Sequence, residues 1–91
     1  MTKKGGCVLI NPKDKTIAII YRPKKNDYSF PKGHMEKGED VLECAIRETI
    51  EETGHDTKVY SNEPIYINRY TTSSGEQVEV YFYLAEDLRR V

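Results

Sequence analysis

The sequence predicts one α+β or mixed α/β domain, in which strands precede and follow a single helix, and three observations carry that prediction. Two β-rich runs, Cys7–Ile10 and Thr16–Arg22, flank the turn-forming Asn11-Pro12-Lys13-Asp14-Lys15, as in a hairpin. Asp40 to Thr53 carries helical periodicity with start and stop signals. Ile65–Thr71 and Val78–Leu84 alternate around Ser73-Ser74-Gly75, which predicts a second hairpin. Elements in that order pack as a sheet covered by a helix. Ninety-one residues without repeat or linker make one domain, residues 1–91.

The helix is the best-specified element. Asp40 followed by Glu43 is a capping-box pattern, and Gly54 stands where a left-handed residue ends a helix. Leu42, Ala45, Ile46 and Thr49 recur at the spacing of a buried stripe. From Pro23 to Gly38 the composition turns to Pro, Lys, Gly, Asn and Asp. That stretch reads as loop, with Tyr28 and Phe30 as its apolar anchors.

Composition narrows the function. Hydrophobic residues are 37% and charged residues 32% of the chain, which suits a folded domain. Fourteen basic against fifteen acidic residues leave a net charge of −1, so bulk charge holds the protein on neither nucleic acid nor an anionic membrane. The apolar run near the N-terminus is too short for a signal peptide or a span. Cys7 and Cys44 are too few for a secreted disulfide framework and read as buried free thiols. A cytoplasmic location is the expectation.

Chemistry concentrates on one face of the helix. Glu48, Glu51 and Glu52 stand at i, i+3 and i+4, so their carboxylates fall within an arc of roughly 100°. At about 6 Å and an effective dielectric near 20, each like-charge pair costs on the order of 3 kcal/mol. A hard divalent cation, Mg²⁺ or Mn²⁺, removes that cost, and no Cys/His cluster points to zinc. A solvated acidic face would look the same in isolation.

The surrounding residues decide between the two. Gly33, five residues, Glu39, seven residues, Arg47-Glu48, two residues, Glu51-Glu52, one residue and Gly54 form a pattern that resembles the Nudix box, G-x5-E-x7-R-E-U-x-E-E-x-G-U with U aliphatic. All seven non-aliphatic positions match, a coincidence on the order of one in a million at average residue frequencies. Thr49 and His55 depart from the aliphatic positions. The resemblance implies a Nudix-type sandwich, a mixed β-sheet between helices, with the box at 33–55 forming loop-helix-loop. It implies metal ligation by Glu48, Glu51 and Glu52, joined by the Gly33 carbonyl, and proton acceptance by Glu51 or Glu52. Arg47 would orient a neighbouring glutamate, and its i, i+4 partners are Glu51 and Glu43. Gly38, Glu39 and Gly54 support the box.

The resemblance further implies a metal-dependent pyrophosphohydrolase acting on a small phosphorylated substrate. Phe30-Pro31-Lys32-Gly33-His34 is similar to a segment of hydrolases of diadenosine tetraphosphate and of diphosphoinositol phosphates. A nucleoside polyphosphate, with dinucleoside polyphosphates favoured, is therefore expected. The alternatives are oxidised dNTPs, diphosphoinositol compounds, or a module that binds without turnover. Lys32, His34 and Arg22 become candidate phosphate contacts, with Lys24 and Lys25 on a basic rim. Tyr81, with Tyr70 and Tyr83, is a candidate for stacking on a base. Family members usually continue into another strand, a second helix and a late carboxylate. Here that second helix is expected to be missing after Val91, with Glu76, Glu79 and Glu86 left as carboxylate candidates. The uncovered sheet would favour a homodimer.

Overall fold

A computed structural model describes residues 1–89 of the chain; the chain end at Val91 lies outside them. The long strand β1 (Thr2–Asn11) turns into β2 (Thr16–Ile17), and β3 (Ile20–Arg22) pairs with β4 (Asp27–Ser29) as a separate ribbon. Then come β5 (Lys32–His34), the helix α1 (Val41–Thr53), β6 (Thr57–Val59), β7 (Tyr66–Thr71) and β8 (Gln77–Asp87). β1 and β8 run parallel at the centre of a six-stranded mixed sheet. β2 and β5 pair antiparallel with the free edge of β1, and β6 and β7 with that of β8. The expected mixed sheet with one helix is present.

The helix begins and ends where its local chemistry dictates. Asp40 caps it, accepting from the Glu43 amide at 2.8 Å, while the Glu43 carboxylate accepts from the Asp40 amide at 3.0 Å. Gly54 adopts φ +72° and donates its N–H to the Ile50 carbonyl, a conformation glycine reaches without strain. The buried stripe is rotated from the expected one. Cys44, Ala45 and Thr49 are buried, whereas Ile46 is only half-buried. The helix rolls this way because it seats directly on glycine. A Cβ on Gly5 would stand 2.5 Å from the Val41 carbonyl oxygen and 2.7 Å from the Ala45 amide nitrogen.

Two features of the loop and strands differ from expectation. The Pro23–Gly38 stretch contains β4 and β5, formed by residues of low strand propensity because β3 and β1 supply their partners. The expected strand Thr16–Arg22 breaks at Ala18-Ile19, where the chain leaves β1 to join the ribbon; the Ala18 N–H still reaches the Leu9 carbonyl at 2.9 Å.

Both faces of β8 are covered, so its simple alternation fails at Phe82-Tyr83. Val78, Val80 and Phe82 cluster with Val8 on one face. Tyr83 and Ala85 join Cys7, Leu9 and Ala45 beneath the helix. Leu84 is half-buried rather than a core residue. Both cysteines are buried and free, as expected. No helix among the described residues is long and apolar enough to cross a membrane.

The substitution Gly5→Ala should destabilise the fold by about 1–3 kcal/mol, the usual scale of overpacking. Both atoms it would strike are backbone, so no side chain can yield. Chemical denaturation measures the loss, and an unchanged midpoint would contradict this seating of the helix.

Candidate active site

The pairing of Gly5 with Gly33 places β5 under the C-terminal half of the helix. There the Glu48 carboxylate occupies the space that any side chain on residue 33 would take. Glycine at 33 therefore leaves the Glu48 carboxylate room to lie against β5. The Gly33 carbonyl accepts from the Cys44 thiol at 3.3 Å, and burial raises the pKa of that thiol.

Arg47 holds the loop and the acidic face together. Its Nε and one terminal nitrogen donate to the two Glu39 oxygens at 2.6 and 2.9 Å. The same side chain donates to Glu48 at 3.0 Å, to Glu51 at 3.2 Å and to the His34 carbonyl at 3.0 Å. Glu39 in turn accepts from the Glu36 amide at 2.9 Å. The Glu39 side chain is 12% exposed against 56% for Glu51, so the Glu39 pair is the better shielded. The Arg47 hydrogen bonds, with the Glu36 amide, hold the Glu39 carboxyl down at about 2, while Glu39 first among its partners raises Arg47. The expected Glu51 contact is present. Glu43 is not a partner, because its carboxylate is engaged in the cap.

Glu52 lies outside this network and accepts the Lys32 amide at 3.1 Å. Its pKa is raised, by partial desolvation first and then by the charges of Glu48 and Glu51. Among the described residues no three His, Cys, Asp or Glu groups converge on one point. The expected meeting of Glu48, Glu51 and Glu52 is thus not drawn by this side-chain arrangement. Three like charges repel, and each turns to its nearest donor, Arg47 or the Lys32 amide. The donor set still fits a hard divalent cation, since every candidate ligand is a carboxylate or carbonyl oxygen.

On the opposite face of the sheet lies an open cleft of about 540 Å³, within the usual range for small-molecule sites. Val8, Ile19, Tyr28, Phe30, Tyr66 and Phe82 form its apolar lining, and Arg22, Lys32 and Asn68 its polar part. Phe30 meets Phe82 edge-on at 5.8 Å, and Tyr66 stacks on it at 6.4 Å. Lys32 joins the two regions: its side chain lines the cleft while its amide bonds Glu52.

The expected substrate contacts divide. Lys32 lines the cleft. Arg22 does too, but Asp27 holds it in a bidentate pair at 2.7 Å across the ribbon, so its charge is already compensated. Asp27 five residues after Arg22, across a turn, was the available signal. The His34 side chain is exposed outside the cleft lining. Tyr81 lies on the helix side of the sheet, donating to Glu79 at 2.9 Å with Lys3 over its ring. Tyr83 is buried and Tyr70 lies outside this cleft. The cleft aromatics are instead Tyr28, Phe30, Tyr66 and Phe82. Glu76 meets Thr2, Glu79 meets Arg69, and Glu86 meets Tyr60. His55 ties the helix end to Asp87 of β8 at 2.9 Å, and Gly38, at φ +84°, turns the loop into the cap.

A family model described as the NUDIX domain matches residues 3–90. The chain belongs to the Nudix family. A solved Ap4A hydrolase of Caenorhabditis elegans is similar to this Nudix chain, with a TM-score of 0.78 and 25% identity, covering 94% of this chain and 67% of that one. An m7GpppN-mRNA hydrolase of the same organism is 34% identical over 71% of this chain and 8% of its own length. An 8-oxo-(d)GTP phosphatase of Mycolicibacterium smegmatis is 44% identical over 50% of this chain and 14% of its own. The chain thus spans less than a fifth of these two curated relatives.

The lowered pKa of Glu39 predicts an acid-dependent stability. Its ionised form is favoured by folding, so its contribution is complete above the ordinary value of 4.5 and fades as pH falls toward about 2. Glu39→Gln should melt below the parent protein at pH 7, and the difference should close across that window. A pH-independent gap in melting temperature would reject the Arg47–Glu39 lock.

Proposed function

We propose that this Nudix domain is a metal-dependent pyrophosphohydrolase that cleaves a phosphoanhydride bond in a nucleoside polyphosphate, with dinucleoside polyphosphates favoured. One observation carries the reading: Lys32 lines an aromatic cleft and bonds Glu52 through its amide, beside the helix face on which Arg47 holds Glu48 and Glu51. The Phe30–His34 segment and the likeness to the Ap4A hydrolase support the dinucleoside choice.

Glu48, Glu51, Glu52 and the Gly33 carbonyl are the groups that would hold Mg²⁺ or Mn²⁺. Such an ion supplies neutralisation of phosphate oxygens and a lowered pKa for water. The chain's own residues do the rest. The Lys32 ammonium attracts the phosphate chain toward the glutamates. Arg47 fixes Glu48 and Glu51, so the acidic face is positioned before substrate arrives. Glu52, outside the Arg47 network, takes the proton from the attacking water. The water oxygen bonds to phosphorus, the bridging P–O bond breaks, and the leaving phosphate departs with the bond electrons. Buried free thiols support a reducing, cytoplasmic setting.

A second reading is a module that binds nucleotide or polyphosphate without turnover, in which the three carboxylates keep the separate partners they have here.

Incubation with diadenosine tetraphosphate, 8-oxo-dGTP and a diphosphoinositol phosphate, with and without Mg²⁺, tests both. The hydrolase should give cation-dependent products, fastest from the dinucleotide; binding without products would select the module. Glu52→Gln should lower turnover by about 10²–10⁴-fold, the scale of general-base contributions. Parental turnover in that variant would remove Glu52 from the mechanism. A rise in melting temperature on adding Mg²⁺, reduced in Glu48→Gln, reports cation binding independently of turnover.

A further inference from the structure

We propose that a second copy of this chain docks on the sheet face opposite the helix, at the end where β1 and β8 finish. In the parallel register Val8 and Ile10 lie beside Leu84 and Glu86, and Ile17 of β2 lies beside Ile10. Val8 belongs to the cluster on the side away from the helix. Strand pairing and alternation therefore put Ile10, Ile17 and Leu84 on that side as well. Tyr60 joins them, donating its N–H to the Leu84 carbonyl and its hydroxyl to Glu86 at 3.4 Å.

The amount of apolar surface decides what this face can hold. Ile17, Ile19, Tyr60, Ile65 and Tyr66 are between 52% and 59% exposed. At on the order of 100 Å² each they leave about 500 Å², and the half-buried Ile10 and Leu84 add about 100 Å² more. That total stands at the top of the range of about 300–600 Å² for the largest patch on an ordinary monomer. Homodimer interfaces are about 65% apolar, so about 600 Å² of apolar surface belongs to about 900 Å² per partner. A standard interface takes about 800 Å² from each side. The face is large enough for a stable pair.

Charge suits a copy of the same chain. A net charge of −1 puts little repulsion between two molecules, and the glutamates of the helix stand on the other side of the sheet. Lys58 and Glu86 lie opposite each other in the β6–β8 register, at the border of the apolar face. A two-fold contact uses one surface twice, so a border with both signs lets each copy supply the other's counter-charge. The contact also leaves the cleft accessible. Lys32 lies opposite Gly6, four residues before Ile10 on β1, which is about 13 Å along the strand.

Sedimentation velocity on the full chain from about 10 μM to about 1 mM tests the pairing by mass action. The parent should pass from one chain mass to two over that range. Amide NMR shifts that move with concentration should gather at Ile17, Tyr60 and Ile65 and not on the helix. Ile17→Lys and Tyr60→Lys place a charge that is hydrated in the single chain and buried in the pair. Each should weaken association about 100-fold or more and leave the circular dichroism spectrum unchanged. A parent that stays monomeric at the highest concentration, concentration-dependent shifts confined to the helix, or folded variants that pair like the parent overturn the proposal. The hydrolase reading fails separately, as intact diadenosine tetraphosphate in the presence of Mg²⁺.

Discussion

The seating of one helix on two glycines sets the geometry of everything else in this domain. Gly5 and Gly33 face each other across β1 and β5. The backbone of the helix rests on the first and the Glu48 carboxylate on the second. A side chain at Gly5 would strike the helix backbone, and one at Gly33 would displace the Glu48 carboxylate. Dense packing turns such a shift into displacement of whatever the helix carries. The acidic face is therefore positioned by the absence of two Cβ atoms as much as by the presence of carboxylates.

Arg47 is the second constraint. A guanidinium has five donors in a rigid fork, and this one distributes them among Glu39, Glu48, Glu51 and the His34 carbonyl. It ties the loop before the helix to the glutamates on it, and compensates their mutual repulsion. Glu52 is left outside, beside β5. That asymmetry gives three similar carboxylates different surroundings, and the proton-acceptor role proposed for Glu52 rests on it.

The two faces of the sheet take different work. Helix and glutamates occupy one, and the aromatic cleft the other, with Lys32 on the edge strand serving both. A strand residue can do this because its side chain and its amide point in nearly perpendicular directions. The β3–β4 ribbon contributes Tyr28 and Arg22 to the cleft without belonging to the main sheet. It also pairs Arg22 with Asp27, leaving Lys32 as the cation of the lining without a salt bridge among the described residues.

The helix, its two ends and the spacing of the box could be read from the amino-acid order because their physics is local. A capping box spans four residues, a left-handed glycine ends one turn, and carboxylates at i, i+3 and i+4 share a face whatever surrounds them. Strand parity was equally local, yet it could not say which face of β8 meets the helix, nor that both are covered. Tyr81 therefore looked like a stacking residue and lies on the helix side, while Tyr66 and Asn68 reached the cleft unannounced. The partners of Arg22 and Glu43, and the strand character of Lys32–His34, were likewise decided by what lay opposite them in space. Contacts between residues distant in sequence are set by packing and register, and those exist only once the chain has closed on itself.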